Sequence, residues 1–124
     1  MHGDGHGIAM TSGEHLSWND LREKLIRFAD KAELIKANKA LLTLCFSVCY
    51  GLDGEKMNDG KSTSCFMALV GSRQKVSRPE ALTAFIVFYH NTLKLGVAAD
   101  EAVRRMNAAV GNANLFEIVS GEVE

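Results

Sequence analysis

Proline, cysteine and long apolar runs are all scarce in this chain, and each scarcity removes a class of protein. Pro79 is the only proline, and no internal repeat or low-complexity tract is visible, which excludes collagen-like, proline-rich and low-complexity chains. No charge of one sign dominates: 14 Lys and Arg stand against 15 Asp and Glu, and the longest basic block is Arg104-Arg105. The positive footprint that would recognise nucleic acid or an anionic membrane surface is therefore missing, and neither is expected as a partner. The longest apolar runs, 41–48 and 82–89, fall far short of the roughly 20 residues needed to span a bilayer. Cysteines number three, an odd count, and no secretory leader pattern precedes them. That combination predicts free thiols, a reducing compartment and a cytoplasmic location.

What is present fits one folded unit. A chain of 124 residues with 47% hydrophobic and 23% charged residues is near the globular average and long enough for a single core, so residues 1–124 are read as one domain. The Gly-rich opening leads into a short strand, Gly7 to Met10, and a turn, Thr11 to Glu14. Ser17 with Asp20 resembles a capping box, and Leu21, Leu25, Phe28 and Ala29 then recur at helical spacing. Lys31 to Lys39 reads as a frayed helix end and a loop. Leu41 to Val48 is apolar at nearly every position, the pattern of a strand in a parallel sheet covered on both faces.

Residues 51–64 are polar and glycine-rich and read as a solvent loop. Cys65 to Val70 repeats the buried-strand pattern. Ser77 and Glu80 then form a capping box around Pro79, opening a helix through Leu82, Phe85, Ile86, Tyr89 and Leu93 to a stop at Gly96. Asp100 to Ala109 is a third helix ended by Gly111, and Leu115 to Val119 a final strand. The predicted fold is α/β, a mostly parallel sheet of about four strands flanked by helices.

Two segments carry candidate chemistry. Cys49 lies where the strand Leu41 to Val48 gives way to Tyr50-Gly51, and the loops beyond the carboxyl ends of parallel strands are where α/β sheets place their ligands. The plainer reading of Cys49, as of Cys45 and Cys65, is a small apolar core residue. The opening His2-Gly3-Asp4-Gly5-His6-Gly7 offers two imidazoles able to take a proton from a thiol, and glycines whose amides can approach a substrate. Its plainer reading is a solvated terminus. A metal site built on His2, Asp4, His6 and His15 is disfavoured, because the spacing matches no closed structural site, and no cofactor is expected. Gly60-Lys61-Ser62 lacks the remainder of a phosphate-binding loop, and Asp53, Asn58 and Asp59 lack the register of calcium ligands.

Taken together, these segments resemble the caspase-like fold of cysteine peptidases, in particular its bacterial caspase and CHAT-type members. His2-Gly3 before Gly7-Ile8-Ala9-Met10 resembles the family's catalytic His-Gly turn, and Leu16 to Leu21 the helix start after it. Ser47-Val48-Cys49-Tyr50-Gly51 is similar to the strand end bearing the nucleophile, and Phe66 to Ser72, the capped helix and Ala99 to Val103 resemble the segments that close such domains. The resemblance implies Cys49 as nucleophile, His2 as general base, and the backbone N–H groups of Gly3 and Cys49 as oxyanion donors. His6 is the alternative base, disfavoured because only Gly7 separates it from the strand.

The family's leading strands have no counterpart, so the chain is expected to be the carboxyl-terminal portion of such a domain. Ser47 stands where eukaryotic caspases carry Gln, so substrate preference does not transfer. The implied function is cleavage of a peptide or protein substrate by a Cys-His dyad. The alternative is an inactive caspase-like module that pairs through the exposed sheet edge, as a homodimer or with a partner chain.

Overall fold

The structure, a computed structural model, describes residues 2–4, 6–9 and 15–121, with the side chains of His2, Asp4 and Ala9 left aside. Three short strands open the chain: β1 (His2–Asp4), β2 (Gly7–Ala9) and β3 (His15–Ser17), paired antiparallel in the order β1-β2-β3. Helix α1 (Trp18–Lys31) follows, its first turn capped by the Ser17 side chain, which accepts the Asp20 N–H at 3.1 Å. A hairpin of β4 (Ile35–Lys36) and β5 (Lys39–Ala40) turns through Ala37 and Asn38, both with positive φ.

The main sheet has the order β6-β7-β8, built from β6 (Thr43–Cys45), β7 (Ala68–Gly71) and β8 (Glu117–Ser120). Between β6 and β7 runs a 3₁₀ helix, Gly51–Asn58. Helix α2 (Arg78–Tyr89) continues into a π-helical turn, His90–Lys94, and α3 (Ala99–Val110) ends at Gly111 in the left-handed region.

The alternation of the strands sorts the core into two layers. Leu44, Leu69 and Val119 stand in one row across the register and pack with Ile8, Trp18, Leu52, Met57, Cys65 and Phe66. The next row, Cys45, Val70 and Ile118, packs with Phe85, Phe88, Met106, Leu115 and Phe116 under α2 and α3. Period-two alternation thus places α1 and the 3₁₀ helix on one face of the sheet and α2 with α3 on the other.

The α/β class and the capped helices agree with the expectation from sequence; the sheet differs from it. Instead of about four mostly parallel strands, the main sheet has one parallel pairing, β6 with β7, and one antiparallel pairing, β7 with β8. Two reasons are physical. The strand expected at Gly7 to Met10 pairs with His2–Asp4 through a turn too short for a crossover, so its pairing is antiparallel and lies outside the main sheet. The chain between β7 and β8 makes the two expected helices, and an even number of helical passes returns it to the opposite end of the sheet, so β8 runs antiparallel to β7. The segment read as a solvent loop, 51–64, is partly core: Leu52 and Met57 are buried and Asn58 is enclosed. Met10 to Glu14, read as strand end and turn, lie outside the described residues.

Candidate functional site

Cys49 lies four residues past the end of β6, in a turn pinned from several sides. The last rung of the parallel ladder is the Phe46 N–H donating to the Val70 carbonyl at 2.9 Å. Beyond it, Tyr50 takes a left-handed conformation (φ 56°) and its N–H donates to the Gln74 carbonyl at 3.0 Å. The Gly51 N–H returns to the Val48 carbonyl at 3.1 Å, and the Leu52 N–H reaches the Ser72 carbonyl at 3.0 Å. Gly51 is required by packing, since a Cβ there would lie 2.7 Å from Cβ of Phe46. The turn stands beyond the carboxyl ends of both parallel strands, as expected from sequence. The strand read over Leu41 to Val48 is shorter than expected: it spans Thr43–Cys45, and its pairing with β7 stops at Phe46, short of Cys49.

The thiol is half-buried and held by the residue that precedes the α2 cap. Val76 donates its N–H to Sγ of Cys49 at 3.3 Å, and the thiol returns a contact to the Val76 carbonyl at 3.6 Å. Next to Val76, the Ser77 hydroxyl accepts the Glu80 N–H at 3.3 Å while the Glu80 carboxylate accepts the Ser77 N–H at 3.0 Å, a full capping box. An open depression of about 220 Å³ meets the sulfur, lined by Ser47, Cys49, Val76, Ser77, Arg78 and Ala81.

Strand β1 reaches the same turn from the other side. Gly3 is buried, and a Cβ on it would collide with the Cys49 carbonyl oxygen and lie 2.9 Å from Cγ2 of Val48. Only a glycine admits this approach. The backbone of His2-Gly3 is thereby packed beside Cys49, while the His2 side chain lies outside the described residues, and with it the reading of His2 as base. His6, the alternative base, is exposed in the turn between β1 and β2, where its carbonyl accepts the Trp18 N–H at 3.2 Å.

The other two thiols sit in different surroundings. Burial pushes the Cys45 thiol up, against a weaker opposing hydrogen bond with Tyr89. Burial likewise raises that of Cys65, against the smaller pull of Arg22. Desolvation disfavours the thiolate, the nucleophilic form, so these two are poorly placed to attack anything. All three cysteines are free thiols. Among the described residues no group of three or more His, Cys, Asp or Glu side chains could hold a metal, and no helix is long and apolar enough to cross a membrane.

Asn58 proves structural. Its Oδ1 accepts the Cys65 N–H at 3.0 Å and Arg22 Nη1 at 3.3 Å, and its Nδ2 donates to Ser64 Oγ at 2.9 Å. Sequence reasoning missed Val76, Ser77 and Arg78 as neighbours of Cys49. The capping box at Ser77 was visible, but nothing local tells that its N-terminal side closes on a turn 27 residues earlier. Compared with protein-family models, curated proteins and solved structures, the chain has no significant match to any of them.

Proposed function

We propose that the chain is a caspase-like cysteine endopeptidase in which Cys49 attacks the carbonyl carbon of a peptide bond. The imidazole of His2 takes the thiol proton as the C–S bond forms, and the carbonyl oxygen becomes an oxyanion. Backbone N–H groups of Gly3 and Cys49 hold that charge. The same imidazole returns its proton to the departing amine as the C–N bond breaks, and water then hydrolyses the thioester.

One observation carries the reading: the strand bearing His2-Gly3 packs its backbone against the turn bearing Cys49, so residues some 46 positions apart in the chain meet at one place. Support also comes from the contrast among the thiols. Cys49 borders an open depression beyond the carboxyl ends of the parallel strands, while burial pushes the Cys45 and Cys65 thiols away from the nucleophilic thiolate form. In this reading β6 is the strand that leads to the nucleophile in a caspase-like sheet, and β7 is its parallel neighbour.

The test is active-site labelling with a thiol-reactive peptidyl probe, followed by peptide hydrolysis. Label should disappear in Cys49→Ser and persist in Cys45→Ser and Cys65→Ser, and hydrolysis should be lost in His2→Ala but kept in His6→Ala. Undiminished labelling of Cys49→Ser would overturn the reading.

A further inference from the structure

Strand β6 is the open edge of the main sheet among the described residues, and the surface beside it is apolar. The Leu42 carbonyl accepts from Met67 and Ala68, and the Phe46 N–H donates to Val70, so the even-numbered residues face β7. Alternation turns the N–H and C=O groups of Thr43 and Cys45 to the open side. On the sheet face where Cys45 lies, α2 and its π-helical extension carry Leu82, Ile86, Tyr89 and Leu93, which are 66%, 60%, 45% and 81% exposed. Their spacing makes one stripe.

Two open grooves join stripe and strand. One, of about 300 Å³, runs from Cys45 and Ser47 to Leu82 and Ile86; the other, of about 380 Å³, from Thr43 and Cys45 to Leu93; Tyr89 borders both.

Charge selects the occupant of this face. Neither run that builds it, 40–52 or 81–93, contains an Asp, Glu, Lys or Arg. The opposite edge of the sheet is guarded: β8 begins with Glu117, whose carboxylate pairs with Arg73 at 3.4 Å. A face without charge has no complement to offer a charged partner, yet meets its own image without repulsion. Two identical edges related by a two-fold axis run antiparallel, the geometry in which β6 can pair with itself.

We propose that this face is the interface between two copies of the chain. Strand β6 of each copy pairs with β6 of the other, one sheet runs through both, and the two α2 stripes meet over the junction. Four side chains exposed to this degree leave roughly 400 Å² of apolar surface per copy. With the strand edges added, two copies reach about the 1,000 Å² that a specific interface needs.

This inference is independent of the peptidase reading, and its test does not use activity. Sedimentation velocity across low to high micromolar concentration compares the wild type with Ile86→Lys/Leu93→Lys and with Thr43→Pro. The lysines fall on exposed positions, and the proline deletes an N–H on the open side, so circular dichroism should show both variants folded. The wild type should move to twice the chain mass as concentration rises, and each variant should shift that transition at least tenfold upward. Amide exchange at Thr43 and Cys45 should slow only where the dimer forms. A wild type that stays monomeric throughout overturns the proposal and leaves the face to some other polypeptide; a dimer that persists in both variants overturns it as well.

Discussion

A side chain on Gly3, however small, would strike the carbonyl oxygen of Cys49. The obstacle is backbone on both sides, so neither strand nor turn can yield by a rotamer change, and the contact fixes how near the His2-Gly3 strand comes to the thiol-bearing turn.

Gly3→Ala should therefore separate the two elements. The expected loss of stability is about 1–3 kcal/mol, the cost of overpacking a site that cannot relax. Gly60→Ala is the comparison of opposite kind: nothing lies within 4 Å of its would-be Cβ, and its positive φ, which Gly3 does not share, predicts about 1 kcal/mol from left-handed strain alone. Urea titrations followed by the fluorescence of Trp18, which is buried against Phe46 at a ring separation of 5.7 Å, compare the two. Peptidyl labelling of Cys49 should fall in the first variant and not in the second.

The thiols give a pH prediction with a definite sign. Cys45 and Cys65 are raised by burial, and Tyr89 is raised by burial and by the neighbouring Cys45. In each case the folded state keeps a proton that the unfolded state releases. Their contribution to stability is fully present below the unfolded value, about 8.5 for a thiol and 10 for a phenol, and is lost as pH rises through the folded value. The urea midpoint should thus hold steady up to about pH 8 and decline above it. Flattening of that decline in Cys45→Ala/Cys65→Ala would assign it to the thiols.

How much of this arrangement was legible in the sequence depends on the range of the forces involved. The caps at Ser17 and Ser77 were legible because each acts within three residues. The left-handed Gly111 that ends α3 is equally local. The 3₁₀ helix was not: its glycines and charges read as loop, and only tertiary enclosure of Leu52 and Met57 makes it core. The β4–β5 hairpin was hidden because its turn puts Ala37 beside Asn38 at positive φ, and alanine is a poor signal for that conformation. Cys49 could be placed at a strand end from its apolar run, but its contacts with Val76 and Gly3 bridge separations that no local pattern reports.

Asn58 should rank among the costliest polar positions to change. Its amide satisfies the buried Cys65 N–H and Ser64 hydroxyl and receives Arg22 from α1, which also reaches the Met57 carbonyl at 3.1 Å. Asn58→Ala leaves the buried Cys65 N–H without its acceptor and takes one bond each from Ser64 and Arg22, which keep others to Phe66, Met57 and Thr63, at about 1–3 kcal/mol. The adjacent, exposed Asp59→Ala should change stability by less than about 0.5 kcal/mol, which the same urea titration measures.

The Ser77 cap offers a way to move the Cys49 surroundings without touching the sulfur. Its hydroxyl holds the Glu80 N–H, and the residue just before it, Val76, donates to Sγ. Ser77→Ala removes the cap and should cost about 1 kcal/mol. If the capping box also fixes where the Val76 N–H points, the variant should change the rate at which Cys49 is alkylated by iodoacetamide while leaving Cys45 and Cys65 as slow as before. Ser17→Ala removes an equivalent cap, on α1, and should cost a similar amount with no effect on Cys49. Mass-spectrometric alkylation kinetics on the three proteins make the comparison: equal Cys49 rates in all of them would mean that the Val76 contact is set by the Tyr50–Gln74 bond and not by the helix cap.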